Sequence, residues 1–201
     1  MRAATDKKER ESLNVELAFV RNICPEIVAV IENLIQSSND TTDPLILSYG
    51  ALAEAASPEL RQRIVQFLQE RVRKAKGDTS VLVHLIHSLG NTKSSIADST
   101  LLQFVAHDDF RVRLAAVYAL RYSVAESKDV QNALLDGMRN HEDINFAEMV
   151  VRAMIAGAES KQYTGAVPVG DKLFEAIVQH VKNNTELRAM VRYYVMLLGP
   201  K

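Results

Sequence analysis

Three histidines and a neighbouring carboxylate are the residues whose types suggest metal chemistry. His84 and His87 stand three residues apart in an apolar run, and His107 and Asp108 follow one predicted helix later. A zinc site needs imidazole, thiolate or carboxylate ligands that converge on one point. The chain has no HExxH motif and no cysteine cluster, so this histidine pair is a weak metal signature. We expect one histidine in a groove and the other near a helix end, with no metal and no cofactor.

Acid–base and nucleophilic chemistry has equally little support. Asp108 and Asp109 lie beside His107, but no nucleophile is fixed nearby, and an aspartate before an apolar run is typical of a helix N-cap. The single cysteine, Cys24, cannot form an intrachain disulfide, and no histidine or acid follows it at a catalytic spacing. We expect a small buried side chain there. The sequence assigns no catalytic residue, and we predict that the chain is not an enzyme.

Two further stretches could bind phosphate or nucleic acid. The segment Gly165–Gly170 is too sparse in glycine for a phosphate loop and lacks the lysine–serine ending, so we interpret residues 161–170 as a long loop between helices. A basic run spans residues 61–76. It contains Arg61, Arg63, Arg71, Arg73, Lys74 and Lys76. Acidic residues interrupt the run and no stacking aromatics accompany it, which favours a solvated outer face over a nucleic-acid surface.

The composition indicates a helical protein without a strong charge preference. The chain has 201 residues, 47% of them hydrophobic, and its 24 basic and 25 acidic residues leave a net charge of −1. That balance gives no drive toward nucleic acid or an anionic membrane. Glycine (8) and proline (5) are scarce, which suits helices better than a sandwich or barrel. The opening MRAATDKKERE lacks the apolar core of a signal peptide, and no apolar run reaches the ~20 residues of a membrane helix.

Apolar residues recur at spacings of three and four along most of the chain, which predicts helices. We expect residues 1–12 to be frayed and residues 13–198 to form a single helical-repeat domain. Helical spacing starts at Leu13–Val20, and Pro25 opens a second helix to about Gln36. The later predicted helices are Leu45–Ala55, Pro58–Lys76, Ser80–Leu89, Ser95–Ala106, Phe110–Val124, Asp129–Arg139, Asn145–Ala158, Asp171–Lys182 and Glu186–Leu198. No run alternates strictly, so no strand is predicted.

The helices come in pairs that repeat. Gln66-Phe67 and Gln103-Phe104 occupy equivalent places 37 positions apart, and each unit is a helix hairpin of roughly 30–40 residues, the range of helical repeat proteins. One hairpin cannot bury its own apolar faces, but stacked hairpins share a continuous core. We therefore predict an all-α, curved α-solenoid of about five stacked hairpins.

The stretch HDDFRVRLAAVYALRYSV, residues 107–124, is one such unit. We expect Asp108 or Asp109 to cap the helix and Arg113 to reach an acid or a carbonyl in an adjacent repeat, with Asp109 and Arg113 as structural contacts between repeats. Arg111 and Arg121 are expected in solvent. The stretch resembles the second helix of a HEAT-type repeat through Val112-Arg113 and the following Ala-Ala-x-x-Ala-Leu.

A wider resemblance covers residues 13–198. Leu89-Gly90-Asn91, then Leu101-Leu102-Gln103-Phe104, then Val112 to Arg121 follow in the order seen in the α-helical domain of the large lipid transfer proteins. These include vitellogenin, microsomal triglyceride transfer protein and the N-terminal region of apolipoprotein B. The tail NNTELRAMVRYYVMLLG resembles that domain's last helix. The family's signal peptide, β-barrel and lipid-enclosing sheets have no counterpart in this sequence, so we expect a fragment or a stand-alone relative.

The resemblance implies a non-catalytic helical scaffold of a vitellogenin-like lipid transport protein. It would brace a lipid cavity and contact other domains of the parent or a partner protein, with lipid carried only by the intact molecule. It also implies secretion or the ER lumen, which sequons at Asn39 and Asn183 would fit as glycosylation sites. A candidate docking surface lies at Tyr193, Tyr194, Met196 and Leu197.

Two other functions stay open at the sequence level. The alternative is a stand-alone, cytoplasmic HEAT-like module for protein–protein interaction. A lyase-like solenoid with a bound chromophore is a third hypothesis.

Overall fold

The computed structural model describes residues 23–37, 44–75, 77–140, 143–161, 168–181 and 184–199. All regular structure in these ranges is helical, which confirms the all-α prediction there. The helices are α1 Pro25–Ser37, α2 Pro44–Leu52, α3 Pro58–Lys74, α4 Thr79–Asn91, α5 Asp98–Leu102, α6 Phe110–Ala119, α7 Lys128–Asn140, α8 Ile144–Ser160, α9 Asp171–Val181 and α10 Thr185–Leu197. Ser95–Ala97 and Leu120–Tyr122 are 3₁₀ turns. The segment predicted to be frayed, 1–12, and the helix predicted at Leu13–Val20 lie outside the described residues.

Every second helix from α4 onward begins at a carboxylate or amide cap. Asp78, Asp109, Asp143 and Asn184 each precede α4, α6, α8 and α10, and each side chain accepts a hydrogen bond from a backbone N–H of the first turn. Such caps satisfy donors that the helix itself cannot pair. Ser57 caps α3 in the same way, with Pro58 at the first helical position.

Several predicted helices are shorter in the structure, among them Leu45–Ala55, which ends at Leu52. After α5 ends at Leu102, the N–H groups of Gln103, Phe104 and Val105 bond three residues back instead of four, so the chain continues as tight turns. Residues 110–124 likewise form α6 followed by the 3₁₀ turn. Periodicity alone does not separate these tighter turns from an α-helix, because the apolar spacing is nearly the same.

The end of α4 also differs from the expectation. The apolar spacing predicts a helix that ends at Leu89, but the helix continues through Gly90 and Asn91, and Gly90 is buried. Lys93 instead adopts the left-handed conformation at φ 51°. The Thr92 hydroxyl donates to Leu89 O at 2.6 Å and the Lys93 ammonium lies 2.7 Å from Glu54 Oε2. These contacts hold a turn that would more often contain glycine.

The chain forms two compact units, Met1–Ala97 and Asp98–Lys201. In the first unit, α2 packs on α4, α3 packs on both, and α1 packs on α2 and α3. Its core includes Ile35, Tyr49, Leu68 and Leu85. The single domain over residues 13–198 stays a prediction.

In the second unit the contacts connect every other helix. α6 packs on α8, and α8 packs on α10, while α5 packs on α7 and α7 on α9. Neighbours in the chain also touch, as α8 does with both α7 and α9. The helices of this unit therefore lie in two layers, and each layer is built from alternate helices.

Two glycines let helix backbones meet. A Cβ at Gly50 of α2 would overlap the carbonyl group of Ser88 in α4, and a Cβ at Gly157 of α8 would overlap the carbonyl oxygen of Arg121 after α6. The Ser88 hydroxyl, fully buried, donates to the carbonyl of Ile46. Within each unit, a glycine thus lets two backbone segments touch directly. Any larger side chain at that position would hold them apart.

Candidate docking surface

The last described helix, α10, is fixed by one face and exposed on the other. Asn184 Oδ1 accepts from the Leu187 N–H at 2.9 Å and begins the helix. Leu187, Val191 and Tyr194 are buried, at a spacing of four and three residues. This periodicity places one apolar stripe against the other helices of the second unit. The residues between those positions face away from these helices.

The exposed side of α10 carries an apolar group near its carboxyl end. Tyr193 is 45% exposed, Val195 47% and Met196 75%, while Leu197 is half-buried. We call Tyr193, Val195, Met196 and Leu197 the terminal-helix surface. Single exposed apolar residues are ordinary, but several within the last turns of one helix are a candidate contact for a partner.

The predicted docking surface needs correction at Tyr194. This side chain is only 1% exposed, and its hydroxyl accepts a 3.0 Å hydrogen bond from the Val169 N–H. Burial raises the pKa of Tyr194. Adjacent residues on a helix lie about 100° apart, and this step takes Tyr194 into the buried stripe with Leu187 and Val191. Tyr194 therefore belongs to the core, and docking by the other predicted residues stays a prediction.

Tyr193 connects the terminal-helix surface to α8. Its hydroxyl donates to Glu159 Oε1 at 2.9 Å, and this carboxylate raises the pKa of Tyr193. The contact joins the last turn of α8 to the second half of α10. The ring is therefore held in place while nearly half of it remains open to solvent.

A narrow cleft lies beneath this region of the second unit. Tyr194, Val169 and Gly157 line it together with Arg121 and Lys161. Its interior has about 10 Å³ of space, roughly the room for one water molecule. The cleft is too small for a lipid chain or an organic cofactor.

Asp109 and Arg113 organise the turn that precedes α6. Asp109 Oδ1 accepts from the Arg111 N–H at 2.9 Å and caps the helix, as expected. Arg113 Nη1 donates to the carbonyls of His107 and Asp108 at 2.6 and 2.9 Å. Both acceptors lie in the link between two predicted hairpins, so Arg113 stabilises that link locally. A contact from Arg113 to a neighbouring repeat stays a prediction.

Arg121 was expected in solvent, and this is wrong. It is only 7% exposed. Its guanidinium carbon lies 4.7 Å from the ring centroid of Tyr118 and 4.4 Å from that of Tyr122, and Nη1 donates to Tyr118 O at 3.1 Å. Cation–π contact and hydrogen bonding offset the burial of this charge. Helix periodicity missed the site because the chain tightens into a 3₁₀ turn at Leu120–Tyr122.

The histidines and the cysteine considered for metal or nucleophilic chemistry do not form a metal-binding cluster in the described residues. His84 Nδ1 lies 2.8 Å from Ser80 O on its own helix, and His107 Nδ1 accepts from the Asp109 N–H. Within the described ranges no three metal-ligating side chains come together. Cys24 is exposed, against the expectation of burial. It precedes α1 rather than lying inside its apolar stripe.

Two arginines of the basic helix α3 make contacts inside the first unit. Arg61 Nε donates to Ala53 O at 2.9 Å, and Arg63 binds both carboxylate oxygens of Glu32. Lys74 pairs with Glu70 along the exposed side of the helix. A wholly solvated outer face is therefore correct only in part, because two of its arginines hold other segments of the first unit.

Sequence reasoning missed a buried polar cluster in the first unit. Glu32 is 9% exposed and Tyr49 fully buried, and Arg63 completes their contact from α3. Glu32 falls within the apolar stripe of α1, and a charged residue at such a position was the available signal. Across the described part of the chain, every buried side-chain nitrogen and oxygen has a hydrogen-bond partner. No unpaired polar atom there marks a ligand site.

Other predicted features fall outside the described structure. Asn39, Asn183 and residues 162–167 of the long loop lie outside the described residues. Among the described helices, none combines the length and apolar character that a bilayer span requires.

Comparison with models of protein families, with curated proteins and with solved structures finds no match. The family resemblance therefore rests on the sequence motifs alone.

Proposed function

We propose that the chain is the helical scaffold domain of a vitellogenin-like lipid transport protein. In this role it catalyses nothing, braces a lipid cavity formed by other parts of the intact protein, and offers surfaces for protein contacts. It would act in the secretory pathway or outside the cell. The observation that carries the proposal is the order of the three family-like motifs, from Leu89-Gly90-Asn91 through Leu101–Phe104 to Val112–Arg121.

The described contacts support a scaffold more than a reaction centre. The described cleft beneath α10 has room for about one water molecule, Asp109 caps a helix, and Glu32 and Arg63 form an ion pair. The terminal-helix surface is apolar and exposed, as expected of a repeat that needs a cap or a partner. These features support docking to another domain of a parent protein.

We also propose that the helix hairpins stack serially into a curved α-solenoid. The support is the packing of alternate helices, α6 on α8 and α8 on α10, with α7 on α9 in the other layer. X-ray scattering in solution tests this. A stacked array has a radius of gyration above the roughly 16–17 Å of a compact 201-residue protein, and a value at or below that figure would contradict it.

The full-length transcript tests the lipid-transport role. We expect it to encode an export signal and sheet-rich segments on both sides of these residues. We expect the complete product to co-purify with lipid, and the 201-residue chain expressed alone to carry none. A transcript that encodes only these residues, or a full-length product without lipid, would contradict the proposal.

A further inference from the structure

We propose that the terminal-helix surface binds a partner segment that carries carboxylates beside apolar side chains. The proposal deepens the docking role given above and rests on it. From Leu187 to Gly199 the chain has two arginines, Arg188 and Arg192, and no acidic residue. Arg192 is exposed, so this part of α10 presents a positive charge next to its apolar group, whereas Arg188 already makes a contact of its own.

The helix spacing brings charge and apolar surface together. Arg192 and Met196 lie four residues apart, and Arg192 and Val195 lie three apart, so these side chains are neighbours on the exposed side. Met196, at 75%, is the most exposed of the large hydrophobic side chains in the described residues. Arg192 therefore borders the part of the surface with the most apolar area to cover.

The acidic residue of α10 lies away from this end, and Glu159 of α8 is engaged by Tyr193. Glu186 is in the first turn of α10, about two turns before Tyr193. Glu159 accepts the hydrogen bond of the Tyr193 hydroxyl. The last two turns of α10 are thus cationic and apolar, which is complementary to carboxylates around an apolar contact. Arginine pairs with carboxylates in a two-pronged geometry, and such rim pairs select one partner over another.

An anionic lipid surface is the other partner with suitable charge. Sequence-encoded recognition of anionic lipid commonly uses clusters of about four to eight basic residues. The last two turns of α10 have one arginine, Arg192. This favours a protein segment over a membrane.

A peptide-display selection on the full 201-residue chain tests the proposal. We expect selected peptides to combine aspartate or glutamate with large apolar residues. Their affinity should fall about tenfold or more with Met196→Asp and with Arg192→Glu, and should weaken as salt increases. Arg139→Glu, at an exposed position of α7, is the charge-matched control and should bind as the wild type does. Circular dichroism confirms that each variant keeps its helices.

The variants separate two ways in which the proposal could fail. Peptides that lose affinity with Met196→Asp but not with Arg192→Glu would overturn the carboxylate partner and leave docking intact. Binding unaffected by both changes, or no selected peptide, would overturn docking at this surface as well. Arg192-dependent binding to phosphatidylcholine vesicles containing phosphatidylserine, without peptide binding, would assign the surface to lipid and overturn the proposal.

Discussion

The Tyr49 hydroxyl donates a 2.7 Å hydrogen bond to Glu32 Oε1 across 17 residues of chain. Arg63 Nη2 binds the other carboxylate oxygen at 2.5 Å, so one buried carboxylate of α1 is held from both α2 and α3. Burial raises the pKa of Tyr49, and the hydrogen bond to Glu32 raises it further. The phenol therefore stays a donor, and the cluster joins three helices of the first unit.

Replacing Tyr49 by phenylalanine tests this contact. Tyr49→Phe keeps the edge-on ring contact with Phe67, whose centroid is 5.3 Å away, but removes the donor to a buried carboxylate. We expect the free energy of unfolding to fall by about 1.5–3 kcal/mol, measured by urea denaturation. Tyr193→Phe removes an exposed hydrogen bond to Glu159 and should change stability little. Equal losses of stability in the two variants would show that the buried hydrogen bond contributes no more than the exposed one.

The contact between α2 and α4 predicts a second stability effect. A methyl group at Gly50 would overlap the backbone carbonyl of Ser88, and a backbone cannot swing aside as a side chain can. We expect Gly50→Ala to destabilise the chain by about 1–3 kcal/mol, although alanine favours a helix. In Gly170→Ala the methyl group meets only the side-chain amide of Gln131, which can move. If Gly50→Ala were as mild as this control, the close approach of the helices would be wrong.

The helices were predictable because their signals are local. Asp109 before Phe110, and Pro58 after Ser57, are caps and starts that depend on adjacent residues, and the structure begins helices at both places. Apolar spacing likewise placed α7 and α9 within one residue of the observed bounds at each end. These features require only short-range hydrogen bonds and one buried face.

The errors arose where a local tight turn or a distant contact overrides the apolar spacing. Arg121 is buried where its ring and carbonyl partners meet it in a 3₁₀ turn. Apolar spacing does not predict such a turn. Tyr194 and Tyr193 look equivalent in sequence, but only Tyr194 meets the backbone of Val169, 25 residues away. The rotation of α10 about its axis, which decides the docking surface, is set by such contacts.

The Arg113 contacts predict how firmly the start of α6 is held. Arg113→Met keeps the apolar stem but leaves the carbonyls of His107 and Asp108 without their guanidinium donor. We expect a loss of about 1–2 kcal/mol and faster amide hydrogen exchange at the first turn of α6. Arg111→Met removes only an exposed pair with Asp109 and should have little effect. Unchanged exchange in Arg113→Met would mean that the cap alone orders this turn.

Asp98 gives a prediction for the dependence of stability on pH. Burial raises its pKa above the ordinary value, and the hydroxyl of Ser123, 2.9 Å from Oδ1, lowers it in part. The folded chain therefore keeps a proton on Asp98 at a pH where the unfolded chain has released it. Its stabilising contribution is complete below the unfolded pKa and is lost as the pH rises through the folded pKa.

Asp98→Asn removes this titration and still offers an oxygen to the Ser123 hydroxyl. We expect the variant to be more stable than the wild type at neutral pH, and the difference to shrink as the pH falls below the folded pKa of Asp98. Ser123→Ala should raise that pKa further, because it deletes the hydrogen bond that favours the charged carboxylate. Urea unfolding across the acidic range, with a carboxyl titration of Asp98 by NMR, measures both effects. A stability difference between Asp98→Asn and wild type that stays constant with pH would show that this carboxyl titrates alike in the folded and unfolded chains.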